Sequence, residues 1–197
     1  MNADGSSRSF VLYSDFNCPF CYALHERLDA CEVMGKLEWR GVQHAPHLPI
    51  PMARWHGRML EELRHEVALV ERLAPELPIA VPAGKPNTRP AILLAAKVLG
   101  RHPVQGGELV RHLYRLLWRE GRDISDAALL GMVLEELGID PQSLSDKNEE
   151  ALHILDGWDD LWRGTGQGGV PLLVRSDGTM LAGLAQEPEL EKFLATP

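Results

Sequence analysis

A strand-like pattern and a helix-like pattern alternate at the start of the chain. Residues 10–14 form an apolar run, and residues 36–43 alternate apolar with polar side chains, so both segments are predicted to be short strands. Between them, Leu24, Leu28 and Cys31 recur at i, i+4 and i+7, which is the spacing of one helical face. The chain therefore begins with a predicted β-α-β unit.

The pattern of residues 46–148 is helical throughout. Four segments there carry helical stripes or helix starts: Trp55, Met59, Leu63, Val67 and Val70 in the first; Asn87-Thr88 followed by Pro90 in the second; Leu109, Leu113, Leu116 and Leu117 in the third; Ser125 followed by Ala128, Met132 and Val133 in the fourth. Helix capping is the role we expect for Thr88.

Prolines and glycines mark where these helices are interrupted. Four prolines predict a stiff, non-helical connector between the first two helices of the block, namely Pro75, Pro78, Pro82 and Pro86. Glycines are expected to end the helices, including the helix of the β-α-β unit, at Gly35, Gly100, Gly121 and Gly138. Each predicted helix therefore has a recognisable end.

The last part of the chain returns to mixed structure. Residues 149–163 predict a helix, which a glycine-rich stretch follows. Two extended runs, 171–175 and 179–182, lie on either side of Asp177-Gly178, a dipeptide typical of β-hairpins. Residues 187–194 predict a short closing helix.

Together these segments predict the order β-α-β, a block of helices, and then α-β-β-α. Without the middle block, the order is that of a thioredoxin fold. We therefore predict an α/β protein with a thioredoxin fold and an inserted all-helical domain. The thioredoxin-like domain would comprise residues 1–45 and 149–197, and the inserted helical domain residues 46–148.

Composition narrows the class of partner. The 197-residue chain is 45% hydrophobic and 24% charged, as expected for a globular protein, and its net charge of −8 argues against nucleic acid or an anionic membrane as a partner. No apolar stretch approaches the roughly 20 residues of a membrane-spanning helix. Residues 1–9 lack the pattern of a signal peptide. With only three cysteines, the sequence predicts a cytoplasmic protein in a reducing compartment.

The candidate chemistry lies at Cys18-Pro19-Phe20-Cys21, directly after the first predicted strand. Two thiols with this spacing can close into a small disulfide ring. The helix N-terminus that follows favours a thiolate at Cys18, because its free N–H groups and dipole stabilise negative charge. A low-pKa thiol beside a resolving partner is equipped for thiol–disulfide exchange.

The chain resembles the DsbA family of thioredoxin-fold oxidoreductases, in which a helical domain interrupts the fold. The resemblance rests on residues 13–22 (YSDFNCPFCY) and on Gly168-Gly-Val-Pro171 before the hairpin. Residues 86–89 (PNTR) and 120–124 (EGRDI) look like the FrnE-like branch of that family. Both long motifs occur at the separation that the family shows.

The resemblance implies roles for individual residues. Cys18 would be the nucleophilic thiol and Cys21 the buried resolving thiol. Val170-Pro171 would form a loop with a cis proline against the disulfide, where the backbone of Val170 pairs with an extended substrate. Pro19 and Phe20, between the thiols, would also contact substrate.

The dipeptide between the cysteines departs from the strongly oxidising members of the family. Those members carry a histidine there, whereas this chain carries Pro19-Phe20. Without that positive charge we expect a less extreme thiol pKa and a more reducing couple. A dedicated role in protein oxidation is therefore not expected.

Several other residues have competing interpretations. Asp15 is either a buried proton relay for Cys21 or a cap of the following helix, and the sequence does not choose between them. His25 is expected on the solvated surface. Cys31, on the apolar stripe, is expected to be buried and inert.

Metal and aromatic patterns are weaker signals. His44 and His47 follow the cysteines, but 22 residues separate the two pairs, which does not match a zinc finger, so we predict no metal site. Trp158 and Trp162 are expected to be core residues between the helices and the sheet.

The sequence thus predicts a thiol–disulfide oxidoreductase with no organic or metal cofactor. Its substrate would be a disulfide-containing protein or a small thiol compound, and its reductant glutathione or a dithiol protein. The chain also looks like the related 2-hydroxychromene-2-carboxylate isomerases and kappa-class glutathione transferases, so a glutathione-dependent isomerase or transferase is the alternative. A non-catalytic zinc-binding or protein-binding module is a third class.

Overall fold

A computed structural model of the protein describes residues 9–144 and 148–195. The strands are β1 (Phe10–Ser14), β2 (Leu37–Gly41), β3 (Leu172–Arg175) and β4 (Met180–Ala182). The α-helices are α1 (Pro19–Ala30), α2 (Gly57–Leu73), α3 (Arg89–Arg101), α4 (Pro103–Trp118), α5 (Ala127–Glu136), α6 (Asn148–Gly164) and α7 (Glu187–Ala195). None of the helices in the described ranges is long and apolar enough to cross a membrane.

The strands form one four-stranded sheet in the order β2-β1-β3-β4. Strand β1 lies beside β2 in parallel and beside β3 in antiparallel orientation, and β4 completes an antiparallel hairpin with β3. The parallel pair needs a crossover, which α1 supplies, and the hairpin turns at the predicted Asp177-Gly178. Both predicted supersecondary units are therefore confirmed.

One apolar core joins the sheet to the inserted helices. Phe16, directly after β1, packs against Tyr114 of α4 and Trp39 of β2, with ring centroids 4.8 and 5.0 Å apart. The indole N–H of Trp118 donates to the Phe16 carbonyl at 2.7 Å. Since Trp118 is fully buried, that hydrogen bond ties α4 to the loop that carries the cysteines.

Helix α1 also carries buried charges that are paired. Glu26 accepts two hydrogen bonds from Arg115, at 2.8 and 2.9 Å, and one from Arg119 at 2.6 Å. Arg27 donates to Glu76 at 3.0 Å and to the Ala185 carbonyl at 2.6 Å. These bonds connect α1 to α4 and to the segments after α2 and β4.

The first helix ends earlier than its sequence pattern predicts. It stops at Ala30, because Glu32 adopts a left-handed conformation (φ 57°) and the Val33 N–H turns back to the Leu28 carbonyl at 3.4 Å. Gly35, the expected end, lies instead in a short 3₁₀ turn. Cys31 consequently caps the helix and is exposed, so the prediction of a buried thiol was wrong.

His25 was also mispredicted. It is fully buried rather than solvated, and its ring lies 5.2 Å from that of Tyr114. Helix α4 packs on α1, and its Tyr114 covers the side of the helix that carries this residue. The inserted helices thus bury a face that a surface helix would present to water.

Some of the predicted helical stripes need correction. In α5 the buried residues are Leu129, Leu130, Val133 and Leu134, whereas Ala128 and Met132 are exposed and Asp126, not Ser125, caps the helix. Met59 in α2 is likewise exposed. The helix ends near Gly121 and Gly138 are confirmed, and both glycines have positive φ. Thr88 stands at the start of α3 but makes no side-chain capping bond, since Asn87 accepts from the Arg89 N–H instead.

Replacing Glu26 with Gln is expected to lower the free energy of unfolding by about 2 kcal/mol, because two arginines would then face a neutral buried amide. Arg58→Ala is the control, since it removes an exposed ion pair with Glu62 and should cost less than about 0.5 kcal/mol. Urea denaturation followed by circular dichroism measures both. A Glu26→Gln loss as small as the control's would contradict this role for the ion pairs.

Candidate active site

Cys18 occupies the N-cap position of α1. Its backbone is extended (φ −102°, ψ 116°), and Pro19 fills the first helical turn, where a missing N–H costs nothing. The side chain of Cys18 is partly exposed, so a substrate sulfur can reach it. The strand-to-helix junction therefore presents a thiol at a helix N-terminus.

The surroundings of Cys18 favour its thiolate. Its pKa is lowered, first by a hydrogen bond from the Cys21 thiol and further by the Cys21 and Phe20 N–H groups and the positive charge of Lys85. Burial of the sulfur opposes this lowering. The ammonium of Lys85 lies 2.5 Å from the Glu66 carboxylate, which holds it at the edge of the site.

Cys21 lies one turn further along α1 and is fully buried. The Asp15 backbone N–H lies 3.5 Å from its sulfur. Burial raises the pKa of Cys21 well above the ordinary value, and its hydrogen bond to Cys18 raises it further. The two thiols thus differ in exposure and in the direction of their pKa shift, and both are free in the structure.

The loop between α6 and β3 comes to the thiols from the far end of the chain. The Val170–Pro171 peptide bond is cis, and the Cys18 thiol donates to the Val170 carbonyl at 3.7 Å. Val170 is half-buried and Pro171 buried. The two motifs named from the sequence therefore lie against each other.

Phe20 and Pro19 lie beside the thiols in different environments. Pro19 is buried, whereas Phe20 is half-buried and packs against an apolar cluster that includes Val70 and Ala74. The exposed part of Phe20 therefore adds apolar surface two residues from Cys18.

Asp15 is fully buried and does not cap α1. Its carboxylate accepts the backbone N–H of His44 at 2.8 Å, and the His44 ring nitrogen Nδ1 lies 3.7 Å from the same oxygen. This interaction with Asp15 raises the pKa of His44. Of the two interpretations of Asp15, the structure supports the buried carboxylate.

The sequence marks His44 only as a candidate zinc ligand. Its ring meets Trp162 edge-on at 5.3 Å, and 32% of its side chain is exposed. The order of the strands could have pointed to His44. Because β1 and β2 are parallel, the residues that follow them, Asp15 and His44, meet at the carboxyl ends of the two strands. Within the described ranges, no group of three or more His, Cys, Asp or Glu side chains is arranged to hold a metal ion.

A pair of buried hydroxyl groups lies beneath Cys21. The Ser14 Oγ and Tyr114 OH atoms are 2.5 Å apart, and Ser14 also hydrogen-bonds Cys21. Burial raises the pKa of Tyr114 well above its ordinary value, and the neighbouring Cys21 raises it further. Sequence reasoning missed this pair, because 100 residues separate its members and nothing local marks either one.

We expect iodoacetamide to modify Cys18 at neutral pH before either other cysteine, because the thiolate is the reactive form. Cys31 is the internal control: it is exposed, but partial burial and two nearby glutamates raise its pKa. Cys21 should stay unmodified while the protein is folded. Alkylation is carried out at a series of pH values from roughly 5 to 10, and peptide mass spectrometry gives, for each cysteine, the midpoint pH at which its alkylation rate is half maximal. A Cys18 midpoint at or above that of Cys31 would refute the assignment.

The charge of Lys85 is tested separately. Lys85→Met is expected to raise the alkylation midpoint of Cys18, since it removes a positive charge that stabilises the thiolate. Lys97→Met is the matched control, because Lys97 donates to Asn148 and does not act on Cys18. Equal midpoints in the two variants would exclude Lys85 as a cause.

Solved structures with the same fold cover almost the whole chain. The cytosolic disulfide reductase DsbM from Pseudomonas aeruginosa, solved with GSH, is 18% identical with a TM-score of 0.72, over 95% of this chain and 99% of that one. A 2-hydroxychromene-2-carboxylate isomerase is 20% identical, with a TM-score of 0.66 over 94% and 93% of the two chains. The thiol-disulfide exchange protein alpha-DsbA2 from Wolbachia pipientis is 15% identical, with a TM-score of 0.60 over 98% and 83%.

No curated protein matches the sequence. At identities of 15–20% the likeness to solved structures establishes the fold. The predicted α/β thioredoxin fold with a helical insertion is thereby confirmed. A family model of the DSBA-like thioredoxin domain matches residues 10–195, which is nearly the entire chain and includes both motifs. The chain therefore belongs to the family of DSBA-like thioredoxin domains.

Proposed function

We propose that this protein is a thiol–disulfide oxidoreductase that acts through Cys18 and Cys21. One observation carries the proposal: a partly exposed thiol at a helix N-terminus, with a lowered pKa, lies beside a fully buried thiol with a raised pKa. Thiol–disulfide exchange needs this difference, because one sulfur must attack the substrate while the other stays protonated until the mixed disulfide has formed.

In the first step the Cys18 thiolate attacks one sulfur of a substrate disulfide. A new bond forms between Cys18 and that sulfur, the substrate S–S bond breaks, and the second substrate sulfur leaves as a thiolate. The Val170 carbonyl lies 3.7 Å from the Cys18 sulfur. An extended substrate segment could pair with this backbone while the exposed part of Phe20 contacts its apolar side chains.

In the second step Cys21 loses its proton and attacks the Cys18 sulfur. The mixed disulfide breaks, the remaining substrate sulfur leaves as a thiolate, and Cys18 and Cys21 become the disulfide. Two molecules of glutathione would then restore the dithiol and leave as glutathione disulfide. Glutathione is the partner we propose, since a protein of the same fold, DsbM, was solved with GSH.

The buried carboxylate of Asp15 is our candidate for the proton acceptor of Cys21. The Asp15 backbone touches the Cys21 sulfur, and hydrogen bonding from His44 holds the carboxylate in place. A base is needed here, because the pKa of Cys21 is raised and few of these thiols ionise unaided at neutral pH.

Replacing Cys21 with Ser is expected to leave glutathione attached to Cys18 after exposure to glutathione disulfide, because the resolving thiol is gone. Cys18→Ser is the matched variant and should form no adduct at this site. Mass spectrometry of the intact protein and its peptides identifies the adduct. Equal adduct formation in the two variants would rule out Cys18 as the attacking thiol, and glutathione-dependent activity kept by Cys18→Ser would favour the isomerase or transferase class.

Asp15→Asn is expected to slow the release of glutathione from Cys18 by about 10-fold or more at neutral pH, since general-base assistance is typically worth at least that much. The rate that remains should rise with pH, because the Cys21 thiol must then lose its proton to solvent instead of to Asp15. Stopped-flow measurement of glutathione release from the preformed mixed disulfide gives the rate at neutral pH and its dependence on pH.

His44→Gln tests whether His44 helps to hold the Asp15 carboxylate in place. It keeps the backbone N–H that donates to Asp15 but removes the ring, so we expect a smaller loss than with Asp15→Asn, confined to pH values at which His44 is protonated. His47→Gln, on the exposed part of the same loop, is the matched control and should leave the rate unchanged. An unchanged pH profile in both Asp15→Asn and His44→Gln would remove these residues from the mechanism.

A further inference from the structure

A cavity of about 640 Å³ lies between the end of α1, strand β2 and helices α3, α4 and α6. Its walls include neither thiol of the candidate active site nor the Val170 loop. The volume is within the range of about 300–1,000 Å³ that is usual for small-molecule sites. The cavity is thus a feature of its own, separate from the exchange chemistry.

Two tryptophans line this cavity with rings at right angles to each other. Trp39 and Trp158 meet edge to face, with ring centroids 5.9 Å apart and an interplanar angle of 89°. Leu37, Leu99 and Ile154 add apolar surface around them. Walls of this kind favour a planar ring, because aromatic groups gain from stacked and edge-to-face contacts beyond simple burial.

His25 supplies an unsatisfied polar group in the cavity wall. The residue is fully buried, and neither ring nitrogen has a hydrogen-bond partner among the residues that the structure describes. Burial lowers the pKa of His25 to about 4, so the ring is neutral near pH 7 and offers one donor and one acceptor. A buried polar group without a partner is costly, and a ligand that bonds it would remove that cost.

The charges around the cavity restrict the ligand further. Three carboxylates line it, from Asp29, Glu38 and Glu108, against one guanidinium, from Arg111. Two of these carboxylates are paired: Arg111 and Arg115 lie 3.3 and 3.6 Å from Asp29, and Arg40 donates to Glu38 at 2.8 Å. Among the described residues, Glu108 is the lining carboxylate without such an ion pair, so an anionic ligand would meet its negative charge, whereas a neutral or cationic ligand would not be repelled.

We propose that this cavity binds a planar, fused-ring aromatic molecule, uncharged or cationic, whose ring N–H or equivalent polar group hydrogen-bonds to His25. The two tryptophan rings offer a face and an edge to a planar ring, the histidine nitrogens select the polar group, and Glu108 disfavours acids. The proposal does not depend on the exchange reaction, and binding should persist in Cys18→Ser.

Tryptamine is the probe, with two matched compounds beside it. Indole-3-propionate has the same ring and spacer but a negative charge, and 1-methyltryptamine lacks the ring N–H. We expect tryptamine to bind at least about 10-fold more tightly than indole-3-propionate and measurably more tightly than 1-methyltryptamine. Titration of ¹⁵N-labelled protein, followed at the indole N–H signals of Trp39 and Trp158, gives the affinities and locates the site.

Two variants locate the binding site in the protein. A Cβ at Gly107 would meet no atom within 4 Å, so Gly107→Phe can fill the cavity, and it should weaken tryptamine binding at least about 10-fold. Gly131→Phe is the matched control, on a helix away from the cavity and equally open at its Cβ, and it should bind like the unmodified protein. His25→Phe should abolish the preference for tryptamine over 1-methyltryptamine.

Three outcomes would overturn the proposal. The first is tryptamine binding that moves neither tryptophan signal, or no binding at all. The second is equal binding of tryptamine and indole-3-propionate. The third is binding to Gly107→Phe as tight as to Gly131→Phe, which does not depend on whether His25→Phe folds.

Discussion

The burial of helix α1 from more than one side is the constraint on which the rest of the structure depends. Nine of its twelve residues are buried, among them Glu26 and Arg27. Charges in such a position are tolerated only when they are paired and hydrogen-bonded, and Glu26 is paired with Arg115 of α4 and with Arg119 directly after it. The helix is thus fixed in place, and so is its N-terminus.

The difference between the two thiols follows from that fixed helix. Cys18, at the N-cap, is partly exposed and surrounded by N–H donors, whereas Cys21, one turn inside, faces the core. A hydrogen bond from the Cys21 thiol and the N–H groups of the helix N-terminus stabilise the anion at Cys18, and burial penalises it at Cys21. Two identical side chains three residues apart therefore acquire opposite pKa shifts.

The inserted helices take part in the site rather than merely flanking it. Tyr114 of α4 bonds Ser14 beneath Cys21, and Lys85, in the connector after α2, contributes positive charge near Cys18. The same helices also bury His25 and form one side of the tryptophan-lined cavity. One core therefore serves both the candidate redox site and the proposed second site.

The sequence by itself determined the order of the elements, the place of the thiols and the family, because local periodicity, turn residues and two motifs carry that information. Only the tertiary structure decided the surroundings of those elements. His25 was expected to be solvated, but α4 covers it; Cys31 was expected to be buried, but the left-handed Glu32 ends α1 early and leaves it exposed. Asp15 and His44, like Ser14 and Tyr114, meet through chain segments far apart in sequence, and no local pattern records such contacts.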